Sequence, residues 1–175
     1  MTRFACATLA LLPLLAASTA GAQTDAMAVA LKGTHDMIKG NIIKSAEKMP
    51  EEQYSFQPTP EVRTYGRLLG HIANANYMIC SRAAGEKSPA TEDVEKTRSS
   101  KADLLAAVKA SFEYCDGVYA KMTPEKSVEM IDFFGGKQPR LAVMAFNNGH
   151  NYEHYGNIVT YLRIKGIVPP SSEGR

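Results

Sequence analysis

From Ala26 to Lys48 the positions Met27, Leu31, Thr34, Ile38, Ile42 and Ser45 recur every three or four residues, with Lys32, Lys39 and Glu47 left for the wet side. That period predicts an amphipathic helix, stopped at Met49-Pro50 because a residue before proline is pushed out of the α region. The stretch EEQYSFQPTPEVR carries two prolines within three residues and predicts an extended connector, with Tyr54 and Phe56 tucked against the helices. Thr64 is placed to cap a second helix carrying Leu68, Leu69, Ile72, Ala75, Met78 and Ile79 inward, which ends near Ala84-Gly85. Residues 85–100, GEKSPATEDVEKTRSS, are polar throughout and predict a solvated crossing loop with no hidden element. Ser100 with Asp103 resembles a capping box and opens the cleanest stripe in the chain: Leu104, Val108, Phe112, Cys115, Tyr119 and Met122. Thr123-Pro124-Glu125 starts a short turn, and MIDFFGGKQ predicts a hairpin excursion around Gly135-Gly136. A last helix runs from about Arg140 to Lys165, with Gly166 as its cap, Ile167 as its clasp and Pro169-Pro170 as its stop.

Four long helices without alternating strands predict an all-α fold, a four-helix bundle. The crossing loop bears on topology, since about 15 extended residues reach about 50 Å whereas a 20-residue helix is about 30 Å long. The second and third helices are therefore free to run parallel. Cys80 and Cys115 would then lie at similar heights, which leaves both a disulfide and two separate buried thiols open.

The first residues, MTRFACATLALLPLLAASTAGAQ, combine one basic residue, an apolar run from Phe4 to about Ala17 and small residues before Gln23. This is the layout of a signal peptide, residues 1–22, cleaved near Ala22 and followed by a single domain over residues 23–175. The run is too short and too interrupted by Pro13 for stable membrane insertion, and Cys6 lies at its beginning instead of after it, against a lipoprotein anchor. The expected location is periplasmic or secreted. Without Arg3, the 20 basic residues become 19 against 18 acidic ones, a charge of +1 that argues against a nucleic-acid partner.

Half of the histidines stand four residues apart in HNYEH, at His150 and His154, and so share one face of the last helix. His71 falls mid-way along the second helix among Leu68, Ala75 and Met78. Buried imidazoles need partners for their nitrogens, and one cation would satisfy three of them, at about 2.0–2.1 Å if it were zinc. Ordinary hydrogen bonding to Asn, Glu or backbone is the competing account, since the chain has no HExxH signature and no cysteine cluster. His35 is expected at the surface or an edge. Asn147, Asn151 and Asn157 are placed either to support the imidazoles or to solvate the helix.

Three stretches, MPEEQYSFQPTPEVRTYGRLLGHIANAN, HNYEHYGNIVTYLR and GIVPPSS, together resemble the DinB-like superfamily over essentially all of the chain after the leader. The resemblance implies an up-down-down-up bundle and a divalent metal held by one histidine of the second helix and two of the fourth, here His71, His150 and His154. Some members of that superfamily are thiol-dependent transferases or isomerases in which the metal lowers the pKa of a small thiol. Export would set this chain apart from them, away from the cytoplasmic thiol pool. Two functional expectations follow, a zinc- or nickel-dependent transferase or hydrolase acting on a small molecule, and a non-catalytic envelope protein whose ion is structural. Glu153, Tyr155, Asn74 and Tyr77 are the candidate acid, base or orienting residues, and the bundle faces leave room for a homodimer.

Overall fold

Thr64 and Gly85 bracket a helix as their chemistry requires. In a computed structural model, which describes residues 19–174 with side chains from Ala26 onward, the Thr64 hydroxyl accepts from the Arg67 N–H, and Gly85 takes the left-handed conformation (φ 74°) past the last turn. The elements are α1 (Thr19–Lys48), a 3-10 turn (Glu51–Gln53), α2 (Tyr65–Ala84), α3 (Val94–Thr97), α4 (Lys101–Ala120), α5 (Pro124–Val128), β1 (Met130–Phe133), β2 (Gly136–Pro139), α6 (Arg140–Ile164) and a second 3-10 turn (Pro170–Ser172). Ser100 caps α4 by accepting from Asp103 N–H while its hydroxyl donates to the Asp103 carboxylate at 2.7 Å. A cap of this kind contributes about 1 kcal/mol. Gly166 is left-handed (φ 72°), and the Ile167 N–H returns to Leu162 O, which closes α6.

The long helices form the expected up-down-down-up bundle, and their cross-links give each direction. Gly66 approaches Leu104 near the start of α2 and α4, and Cys80 bonds Cys115 near their ends, so these two run parallel. His35 meets Asp116, and Lys101 reaches back to the carbonyls of Glu47 and Met49, so α1 opposes α4. Asn151 meets Asn76 while Tyr161 donates to Arg63 O, so α6 opposes α2. The cysteines are disulfide-bonded with Cα atoms 5.4 Å apart.

One apolar cluster, including Ile38, Leu69, Ile72, Val108, Phe112 and Leu162, fills the half of the bundle near the Tyr54 connector. A second, with Ile79, Cys80, Cys115, Val118, Val143 and Met144, fills the half near the hairpin. Between the clusters lies a polar layer. Asn76 donates to Ser111 Oγ and accepts from Asn151, and Asn147 points at the disulfide sulfurs. Strands β1 and β2 pair antiparallel around a Phe134-Gly135 turn in which both residues have positive φ.

Four expectations need correction. Residues 85–100 hide an element, because α3 buries Val94 and lies against α2. His35 is wholly buried between α1 and α4, stacked near Phe112 and Tyr119, since Asp116 satisfies its Nε2 at 3.0 Å. Met27, Thr34 and Met78 are exposed. Helix α1 also begins earlier than Ala26, at Thr19. The expected leader, residues 1–22, falls almost entirely outside the described residues. No helix among the described residues is long and apolar enough to cross a membrane.

Candidate metal centre

His71 comes from the first half of α2, and His150 and His154 from successive turns of antiparallel α6. The crossing brings their Nε2 atoms to one point. His150 Nε2 lies 3.2 Å from His71 Nε2 and 3.0 Å from His154 Nε2, and the three ligand atoms all fall within 4.8 Å of one another. Two nitrogens each about 2.1 Å from a common ion are about 3.0 Å apart at a right angle and about 3.4 Å apart at the tetrahedral angle. The spacing fits a shared cation.

Proton counting points the same way. Burial holds His154 at a pKa of about 3, with the charges of His150 and His71 adding to the effect. Burial also lowers His150 and His71, helped by His71 in the first case and Arg63 in the second. All three rings are then neutral near pH 7. The central Nε2 of His150 carries either one hydrogen or one lone pair, so it can make one good hydrogen bond but not two. A cation engages three lone pairs together.

Behind His71 stands a carboxylate that sequence reading missed. Glu95 Oε2 lies 3.4 Å from His71 Nδ1, and Glu95 Oε1 receives Arg63 Nε at 3.0 Å and an Arg67 NH at 3.3 Å. Glu95 belongs to α3, which rests on Gly70. A Cβ there would come within 2.6 Å of Glu95 Cα. Asn74 holds the other end of the contact, donating to Asp93 at 2.6 Å and accepting from Val94 N–H at 3.0 Å. A glycine inside a helical stripe, next to a histidine, was the available signal of close backbone approach.

The remaining expected site residues separate. Glu153 and Asn157 line a cleft of about 680 Å³ beside His154, and the Asn157 amide reaches His154 Nδ1 at 3.5 Å. Tyr155 faces the other way, donating to Ser171 Oγ at 2.9 Å. Tyr77 packs on Tyr114, and Asn74 acts on α3. Asn147 and Asn151 direct their amide donors into the polar layer, to the disulfide sulfurs and to Asn76. His150 Nδ1 is buried without a protein partner.

A second grouping, His35 with Asp36 and Asp116, also has ligand-like spacing. Lys39 Nζ sits 2.5 Å and Lys32 Nζ 3.7 Å from the Asp116 carboxylate, so two ammonium groups supply the positive charge there. His35 does not join the three-histidine cluster.

A family model described as the DinB superfamily matches residues 39–158, which include all three clustered histidines. The uncharacterized protein YjoA of Bacillus subtilis is 25% identical over 125 residues, 69% of this chain and 79% of that protein. Among solved structures, a DinB-like protein from Bacillus cereus superposes with a TM-score of 0.70 at 20% identity, covering 80% of this chain and 93% of that one. The crystal structure of YjoA gives 0.63 at 22% identity, over 78% of this chain and 93% of that one. A conserved protein from Enterococcus faecalis gives 0.64 at 15%, over 80% and 95%. These likenesses establish the shared bundle, and the family model spans well over half of the 175 residues: the chain belongs to the DinB superfamily.

Proposed function

We propose that this chain is an exported metal-binding protein in which His71, His150 and His154 hold one divalent ion, zinc or nickel, at the edge of a cleft that admits a small molecule. The observation that carries the reading is the convergence of three Nε2 atoms from two antiparallel helices. Three protein ligands leave further coordination positions open, the arrangement of catalytic rather than structural sites. A divalent ion held there supplies a Lewis acid that lowers the pKa of a thiol or water.

The protein's own groups take the other roles. Glu95 Oε2, 3.4 Å from His71 Nδ1, favours the proton on Nδ1, the tautomer that leaves Nε2 free as a ligand. Glu153, on the cleft wall one residue from His154, offers a carboxylate that can take a proton from a bound molecule. This supports a transferase or hydrolase. The alternative, a structural ion that staples α2 to α6, draws support from the same cross-helix geometry.

Metal analysis of protein purified without an affinity tag tests the reading. Wild type should hold about one equivalent of divalent metal and His150→Ala well under a tenth of that. Equal metal in both would remove the proposed site. Export is tested by the mass of the N-terminus after cell fractionation, where an uncleaved chain retained in the cytoplasm would overturn it.

A further inference from the structure

We propose that the cleft beside the three histidines takes a small organic molecule bearing a single carboxylate, received by Arg63 and Arg67, with its reacting atom directed at the histidine cluster; this rests on the metal-binding reading above. Both guanidinium groups line the cleft, with side chains 41% and 58% exposed. Each gives Glu95 one of its five N–H donors in the structure, Nε from Arg63 and one NH from Arg67. The remaining donors form a planar fork, the geometry that suits a carboxylate.

Charge decides among anions. The charged side chains lining the cleft, Arg63 and Arg67 against Glu61, Glu95 and Glu153, sum to −1, and a divalent ion on the three histidines would bring the site to +1, so a monoanion fits better than a phosphate dianion. The lining also includes Pro58, Val62 and Leu68, which suits a short carbon chain. Position follows from the relay of contacts. The arginines hold Glu95, and Glu95 holds His71, so the carboxylate-binding end and the metal-binding end are one acidic side chain and one imidazole ring apart.

The test uses the full chain loaded with cobalt(II), titrated with mercaptoacetate, 3-mercaptopropionate and 6-mercaptohexanoate, and with the mercaptoalcohols of matching length. Sulfur-to-cobalt charge-transfer absorption reads binding, and cobalt content is measured in the same samples. At one chain length or more the acid should bind about tenfold tighter than its alcohol. Arg63→Gln and Arg67→Gln should each bring that ratio toward one, with the alcohol titrated on the same cobalt-loaded variant as the reference for any change at the metal itself. Equal binding of acid and alcohol at every length overturns the proposal, as does a preference that survives in both variants, or cobalt-loaded protein that gives no charge-transfer band with any of the thiols. Wild-type protein that fails to retain cobalt overturns the underlying metal-binding reading instead.

Discussion

Gly70→Ala is the sharpest perturbation of the support behind His71. The added methyl would lie 2.6 Å from Glu95 Cα, 2.9 Å from Glu95 N and 3.2 Å from the Val94 carbonyl carbon. Packed carbon atoms rest about 3.5–4.0 Å apart, so α3 must retreat by about 1 Å. The obstructing atoms are backbone, and no change of rotamer relieves them. Glu95 Oε2 starts 3.4 Å from His71 Nδ1, and another ångström ends that contact. Overpacking of this kind costs about 1–3 kcal/mol, while exchanging a helical glycine for alanine gains about 1 kcal/mol. Gly117, in α4, has nothing within 4 Å of a virtual Cβ, so Gly117→Ala isolates the gain. The two variants should therefore differ by about 1–3 kcal/mol, and at about 2–4 °C per kcal/mol for a domain of this size, thermal melts resolve the difference. Loss of a carboxylate that orients a metal-binding histidine weakens metal affinity about 10- to 100-fold, measurable by competition with a chromophoric chelator. If Gly70→Ala melted level with Gly117→Ala and held zinc as tightly as wild type, α3 would not be seated on Gly70 and Glu95 would not orient His71.

Joint replacement of Cys80 and Cys115 by alanine should lower unfolding free energy by about 3–4 kcal/mol, the chain-entropy value for a bridge across 35 residues; a denaturant-measured loss below about 1 kcal/mol would contradict this. Acid should destabilise the metal-free protein. Burial holds His154 at about 3 and keeps His35, His71 and His150 below the ordinary histidine value. As pH falls below about 6.5 the unfolded chain therefore binds protons that the folded chain refuses. For His154 the stability present above about pH 6.5 is lost toward pH 3, at up to about 1.4 kcal/mol per pH unit, and the other three histidines add losses of the same sign below about pH 6.5. Urea midpoints followed from pH 7 to pH 4 should fall more steeply for wild type than for His154→Ala, and parallel curves would refute the assignment.

What was legible in the chain was whatever a short segment decides for itself. Thr64, Ser100 and Gly166 cap the helices they were expected to cap, because each acts on backbone groups within a few residues. The length of one loop left α2 and α4 free to run parallel, and the resemblance implied that they do. The i, i+4 spacing of His150 and His154 guaranteed a shared face, the stripe of the second helix placed His71 among Leu68, Ala75 and Met78, and the resemblance made it the third of the set. Burial of polar groups was less legible. His35, Asn76, Asn147 and Asn151 lie in the interior because partners on other helices satisfy part of their hydrogen-bonding capacity, and no local pattern announces those partners. Tyr155 misled for the converse reason: one position beyond His154 on a helix is about 100° around the axis, enough to turn the side chain to Ser171.

The second layer of the site depends on what lands on what. Glu95 sits in a segment whose composition favours solvent, yet it ends up only 14% exposed, because Gly70 lets a backbone approach α2 more closely than any side chain would permit. That one contact carries three consequences at once. It seats Val94 in the core, turns a carboxylate toward His71, and gives Arg63 and Arg67 a common anchor at the cleft. The histidine cluster is a property of two helices and their spacing, whereas the wall beside it is a property of a loop and the glycine beneath it. A relative that kept the three histidines but placed a larger residue at the position of Gly70 would be expected to hold an ion in the same place, and to present a different surface to whatever approaches it.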